Sequence, residues 1–364
     1  MPQRALFLFP TDRMGGAERI TRTLAIEAAR SKQYGEIHCY IHCLDRTGTL
    51  DDLEEKFGII LKYSYAKSHF SKLWSLFQYL LAEKYDLVFS SHLHFNAVCS
   101  LMRRLGWLRV ARLISRESTM AFERDFGRIN VLIPWMYAAY GAQDIIVCQT
   151  PRMRDSLSEN TAGKYDHLLK VLPNPIDMEW VAAGRDMAPP PELDAIPAGR
   201  SKILWCGRLS PVKSPFRAIN ALHALHRLGR SDIQLVMVGD GPLRAAVSAL
   251  AAELGMSEYL TMIGHHAFPS SCMARCNVGL LTSDIEGFPN VILEMLASGI
   301  RSVVSTDCAD GLGDIPGVSL VSSKDEHTIA QALLVLLENH FSDPAIDGFL
   351  SERSSNSFFK KLSE

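Results

Sequence analysis

The chain has 364 residues, 47% of them apolar and 21% charged. This is the composition of a globular protein long enough for two domains, and it excludes wholesale disorder, collagen-like repeats and coiled coils. A net charge of −2 argues against a dedicated nucleic-acid binder, and no apolar run approaches the ~18 residues a membrane-spanning helix needs.

The near-neutral total hides an asymmetry. Residues 1–173 carry 23 Lys/Arg against 18 Asp/Glu, whereas 174–364 carry 15 against 22. A basic half and an acidic half imply a division of labour. The first apolar run, near residues 5–9, is too short for a secretory signal core and reads as a buried strand. The eight cysteines are scattered through apolar runs, as expected of reduced thiols in a cytoplasmic protein. On a strand, Cys39 and Cys43 stand ~13 Å apart, too far to share a zinc ion, so no metal site is expected there.

Apolar runs at 5–10, 37–43, 87–91, 111–115, 145–149 and 170–172 predict strands. Helical patterns separate most of them, the first over 16–29 with Ile20, Leu24 and Ala28 at i,i+4 spacing. The series restarts at 202–206, 234–238, 260–263, 278–281, 300–304 and 318–321, with helices over 216–228 and 290–298. Alternating β and α segments imply parallel sheets covered by helices. Two such series imply an α/β protein of two Rossmann-like, doubly wound domains facing across a cleft, 1–173 and 174–345. Residues 346–364 form a C-terminal helix that packs back on the first domain. The seam is Pro173-Asn174-Pro175-Ile176-Asp177, where two prolines stop any helix.

Ligands bind such sheets at the carboxyl ends of the strands, so the loops that follow the strands carry the chemistry. After the first strand, Gly15-Gly16-Ala17-Glu18-Arg19 gives a tight turn with free N–H groups at a helix start. After the first strand of the second series come Gly207-Arg208-Leu209 and Lys213. They are either a phosphate grip or two solvated cations. The strand at 278–281 leads into Glu286-Gly287-Phe288-Pro289-Asn290-Val291, with Glu294 in the helix that begins near Pro289. That unit offers a loop carboxylate, a helix N-terminus suited to an anion and a second carboxylate for vicinal hydroxyls. Its bland alternative is two solvated carboxylates.

In this order the motifs resemble the retaining glycosyltransferases of family 4, group 1, which have the two-Rossmann GT-B fold. The resemblance covers nearly the whole chain and includes Val238-Gly239-Asp240-Gly241-Pro242-Leu243 and Ile263-Gly264-His265. Its most specific part is the E-x7-E pair Glu286 and Glu294. The resemblance implies metal-independent, cofactor-free transfer of a hexosyl group from a UDP- or GDP-sugar to an envelope glycan or glycolipid. By it, Arg208 and Lys213 hold the diphosphate, Glu294 the ribose and Glu286 the donor sugar. Gly287, Phe288, Asn290 and Val291 offer backbone N–H groups, Gly264 lies near the base, and Gly15 and Gly16 approach the donor from the first domain.

One departure concerns the histidine that many relatives carry near the end of a first-domain strand. The corresponding stretch here is Ile114-Ser115-Arg116-Glu117-Ser118-Thr119-Met120. Glu117 is therefore one catalytic candidate, and His94, in Ser91-His92-Leu93-His94, is another. Two rival functions on the same fold are a nucleotide-sugar epimerase and a non-catalytic sugar-nucleotide-binding subunit. The basic excess gathers at Arg103, Arg104, Trp107, Arg109 and Arg112. These read either as a face lying peripherally on the anionic inner leaflet of the cytoplasmic membrane or as a core helix followed by a solvated one.

Overall fold

The computed structural model of the chain describes residues 2–363 apart from 45, 66, 67, 323 and 340–343. It contains two compact units. One comprises Met1–Pro175 with Ser355–Glu364, and the other Ile176–Ser354.

The first unit is built on a seven-stranded parallel sheet. Its strands are β1 (Arg4–Phe9), β2 (Glu36–His42), β3 (Ile60–Ser64), β4 (Lys84–Ser90), β5 (Arg109–Arg116), β6 (Ile145–Cys148) and β7 (Leu169–Val171). They lie in the order β3-β2-β1-β4-β5-β6-β7. Strand β1 shows why both faces are covered. Ala5, Phe7 and Phe9 pack with Ile20, Leu24 and Ala28 of the helix Gly16–Ser31. Leu6 and Leu8 pack on the other face with Leu76, Leu80 and Phe95. A period of two thus turns one apolar run into two cores.

The pattern at 60–64 escaped the sequence expectation because β3 is an edge strand in which only Ser64 is buried. The stretch 346–364 forms two helices where one was expected. Ala345–Glu352 places Ile346 and Leu350 in the core of the second unit. Ser355–Ser363 places Phe358, Phe359 and Leu362 in the core of the first.

The second unit has a six-stranded parallel sheet: β8 (Ser201–Cys206), β9 (Ile233–Val238), β10 (Leu260–Gly264), β11 (Val278–Leu281), β12 (Val303–Thr306) and β13 (Val318–Val321), in the order β10-β9-β8-β11-β12-β13. Strand β12 begins at Val303, later than the apolar run suggested. Ile300 instead packs from the preceding loop, its N–H donating to Met295 O at 3.0 Å. Gly279 in β11 seats the helix Asn290–Ala297, since a Cβ there would lie 2.6 Å from Met295 Sδ. In both sheets the chain starts in the middle, runs to one side, then returns to the other. The reversal leaves a crevice beyond the carboxyl ends of β1 and β4 in the first unit and of β8 and β11 in the second.

The C-terminal helix supplies core to the unit from which it is most distant in sequence. Phe358→Ala is expected to destabilise the first unit by about 3–5 kcal/mol and leave the second unchanged. Urea unfolding followed separately for each unit measures this.

Candidate functional site

The second unit's crevice rests on main-chain contact between loops. Gly207 N donates to Val238 O at 3.0 Å, Leu209 N to Asp240 O at 3.0 Å, Leu243 N to Leu209 O at 3.1 Å and Gly239 N to Gly264 O at 2.7 Å. The loops after β8, β9 and β10 therefore form one hydrogen-bonded platform. Gly239 has φ +131°, and a Cβ there would overlap the carbonyl oxygen of Gly207. A Cβ at Gly241 would likewise overlap Leu209 O. These glycines let two backbones touch.

The β8 and β11 loops are bound just as closely. Asp284 N donates to Val212 O at 2.8 Å. Thr282 Oγ1 accepts from buried Trp205 Nε1 at 2.9 Å and lies 2.9 Å from Lys213 O. Asp284 accepts from Ser214 Oγ at 2.7 Å and from Arg217 Nη1 at 2.7 Å. Burial pushes the Asp284 carboxyl up, but Ser214, Arg217 and Lys324 outweigh it and hold the group below the usual carboxylate range. Lys213 closes a short 3-10 turn, followed by Ser214 at φ +45°. This strained corner turns the chain into the helix Pro215–Arg227.

The clamp brings two predicted site residues together. Lys213 Nζ pairs with Glu286 Oε1, which also accepts from Ser283 Oγ at 2.7 Å. Glu286 N donates to Cys308 O at 2.8 Å, which ties the loop to the end of β12 as well. Nothing in the 73-residue separation announced this pair. Arg208 is exposed on the platform itself. Gly264 ends β10 at φ +82°. Gly287 and Phe288 are buried, and the Arg353 guanidinium lies 5.2 Å from the Phe288 ring centre. Asn290 and Val291 open the helix Asn290–Ala297, and half-buried Glu294 follows one turn after Asn290. Asp284, Thr282 and Arg217 were missed as supports, because only strand adjacency brings them to the β8 loop.

In the first unit, Gly15 is the N-cap of Gly16–Ser31. Glu18 folds back over it, and a Cβ on Gly15 would sit 2.5 Å from Glu18 Oε2. From the neighbouring strand end, His92 Nε2 approaches Glu18 Oε1 at 3.2 Å. His94 is exposed, its ring 4.5 Å from that of Phe95. The expectation for Glu117 needs correction. It is 3% exposed and accepts from Tyr137 Oη at 2.8 Å, Tyr140 Oη at 2.7 Å and Asn96 Nδ2 at 3.3 Å. Burial pushes its carboxyl above the usual range despite those donors. It braces the core and is not displayed to a substrate. Arg103 also departs from expectation: its guanidinium is spent on Asp144, Ala142 O at 2.8 Å and Ala111 O at 3.1 Å. Arg104 reaches Ala138 O at 3.4 Å, Arg109 is exposed and Arg112 is half-buried. Trp107 (47% exposed) meets Phe77 edge-on at 5.6 Å, and Phe77 stacks on Trp74 (51% exposed) at 5.5 Å.

Two family models match the chain. The one described as Glycosyltransferase Family 4 covers residues 14–180, and the one described as Glycosyl transferases group 1 covers 200–339. Over 199 residues, 51% of each chain, it is 29% identical to the N-acetylgalactosamine-N,N'-diacetylbacillosaminyl-diphospho-undecaprenol 4-alpha-N-acetylgalactosaminyltransferase of Campylobacter jejuni. Over 157 residues it is 31% identical to the lipopolysaccharide 1,6-galactosyltransferase of Salmonella typhimurium, covering 42% of this chain and 40% of that one. The chain thus spans about half or less of these curated relatives. Among solved structures, Anabaena HepE in complex with UDP and glucose superposes with a TM-score of 0.78 over 100% of this chain and 98% of that one, at 16% identity.

Because the platform is backbone against backbone, it has no side chain that can yield. Gly239→Ala is expected to cost the second unit about 1–3 kcal/mol. Urea unfolding of the variant checks this.

Proposed function

The chain belongs to the group 1, family 4 glycosyltransferases with the GT-B fold, and from that premise we propose a specific reaction. It transfers a hexosyl group, with retention at the anomeric carbon, from a nucleoside diphosphate sugar to an envelope glycan or glycolipid. The observation that carries this reading is the clamp between the β8 and β11 loops, which holds Lys213 against Glu286 on the platform that displays Arg208. The names of the curated relatives support the acceptor class. The HepE complex supports a uridine nucleotide donor.

The roles follow from the chemistry of the groups. Arg208 grips a phosphate bidentately and Lys213 adds a point charge. The N-terminus of Asn290–Ala297 adds oriented N–H groups. Together they neutralise the leaving diphosphate, so no metal ion is required. Lys213 is paired with Glu286. A diphosphate competes for the ammonium and releases the carboxylate toward the hydroxyls of the donor sugar. Glu294 accepts from the ribose hydroxyls. As the glycosidic bond to phosphate lengthens, positive charge grows on the sugar and negative charge on the diphosphate. The cations meet the second of these. Both curated relatives are named as transferases, and no feature of the site favours the epimerase or the non-catalytic subunit.

The exposed group of Trp74 and Trp107, with Leu101 and Leu105 beside it in sequence, supports a membrane-facing surface on the first unit. Arg104, Arg109 and Arg112 supply its charge, without Arg103. Among the described residues, no helix is long and apolar enough to cross a membrane; the contact we propose is peripheral, on the cytoplasmic face.

Incubation of the protein with UDP-glucose, UDP-galactose, UDP-N-acetylgalactosamine or GDP-mannose and a bacterial envelope lipid extract tests the reaction by mass spectrometry. Glycolipid formation is expected. A sugar nucleotide isomerised without acceptor, or bound without turnover, overturns the reading. Glu294→Ala is expected to weaken nucleotide binding about tenfold or more, whereas Glu286→Ala lowers kcat about 100-fold. Unchanged kinetics in both would sink the site assignment. Flotation with anionic vesicles at low salt should carry the wild-type protein, and the Trp74→Ala/Trp107→Ala double variant should float less. If the wild type does not float, the surface proposal fails.

A further inference from the structure

The loop from Glu286 to Asn290 carries the carboxylate that the reading above turns toward the donor sugar. At its first end Glu286 N donates to Cys308 O at 2.8 Å, and the carboxylate meets Lys213 and Ser283. At its last end Asn290 opens the helix Asn290–Ala297. Between the two the loop buries Phe288, 8% exposed, in the core of the second unit with Ile176, Ile346 and Leu350. The guanidinium of Arg353 lies over this ring, 5.2 Å from its centre, and over that of Phe349 at 4.4 Å. Arg353 follows the helix Ala345–Glu352, its N–H donating to Leu350 O at 3.2 Å and its carbonyl accepting from Ile176 N at 2.8 Å. Its side chain therefore starts from a main chain bound on both sides. Every residue of this arrangement belongs to the second unit.

A cation is a costly choice for such a place. Burial pushes the Arg353 guanidinium below its usual range, against the pull of Glu352. Its Nη1 is buried and has no hydrogen-bond partner among the described residues. An apolar side chain would fill the same space without that cost. What the guanidinium adds is attraction to the face of a ring, which fixes where the ring stands. We propose that Arg353 is a positioning residue for the donor-sugar loop, holding Phe288 by its face so that Glu286 keeps its place. The inference rests on the reading above, in which Glu286 faces the sugar. Phe288 stands two residues from Glu286, so a shift of the ring is passed to the carboxylate. A displacement of about 1 Å near reacting atoms costs up to about 100-fold in rate. In that reading the nucleotide is met elsewhere, by Arg208 and Glu294, so Arg353 bears on the sugar more than on the nucleotide.

The test uses whichever of the four sugar nucleotides above is transferred into the lipid extract. Arg353→Met keeps most of the stem and drops the charge. Its kcat should fall about tenfold, with calorimetric Kd for UDP within about twofold of wild type. Arg353→Lys, which keeps a cation for the rings, should regain most of the lost rate. Phe288→Leu should lose a similar rate, and Arg353→Met added to it should lose little more, because the arginine acts through that ring. Three outcomes overturn the proposal: a kcat within twofold of wild type in Arg353→Met, losses that add in the double variant, or a fall in urea midpoint and UDP affinity that accompanies the fall in kcat. The last would make Arg353 a packing residue. Failure of the transferase reading is distinct, because the wild-type protein would then give no glycolipid at all.

Discussion

The contact on which the candidate site depends is between two backbones. At Gly207 and Gly239 the loops after β8 and β9 touch with no side chain between them, and Gly239 N reaches on to Gly264 at the end of β10. Loops are ordinarily the mobile part of an α/β domain. Here main-chain hydrogen bonds make three of them one body, and Asp284, Thr282 and Glu286 extend it across β11 to β12. Rigidity of this kind is what a site needs if charges are to be aimed before the substrate arrives. The cost is strain at Ser214, whose positive φ the surrounding bonds hold in place.

The same construction explains which parts were legible from sequence. The alternation of apolar runs and helical patterns is a local signal, and it marked twelve of the thirteen strands among the described residues. Strand β3 was lost because an edge position needs no apolar run. The ends of β8 and β11 were recognisable by their glycines and charges. Their pairing was not, because the Lys213–Glu286 contact depends on β11 lying beside β8, a non-local consequence of strand order. The support from Arg217 and Asp284 was hidden for the same reason. The two units part between Pro175 and Ile176. The destination of the last ten residues was not visible, since the apolar spacing of Phe358, Phe359 and Leu362 does not say which core they enter.

Net charge gains a meaning once the ion pairs are placed. The first half carries the positive excess, yet part of it is internal, as Arg103 on Asp144 illustrates. Arg116 is 1% exposed and bound to Ser91 and Asn174, and burial holds it down to about 10. The surface field of this unit is therefore weaker than its composition suggests, and Trp74 and Trp107 have to supply much of any membrane affinity. In the acidic second unit, Arg208 is exposed and Lys213 is held against a carboxylate. A diphosphate entering that loop meets local cations against a negative background, which favours the specific site over the rest of the surface.

Two carboxylates in the first unit show how environment sets the acceptor capacity a buried group has left. Glu117 and Glu18 are both largely buried; Glu18 lies just beyond β1, at the switch point, and Glu117 just beyond β5, which is separated from it by β4. Glu117 is met by three donors from the fold itself, two of them tyrosine hydroxyls, so its acceptor capacity is mostly consumed. A ligand that displaced one of them would leave a buried hydroxyl unpaired, at about 1–3 kcal/mol. Glu18 instead meets a single ring nitrogen and thereby sets the state of the other one. The first arrangement closes a network on itself. The second leaves the buried Nδ1 of His92 without a hydrogen-bond partner among the described residues. Residue type could not separate them, since each is a Glu in a strand-end loop or helix start. The number and kind of donors around the carboxylate does.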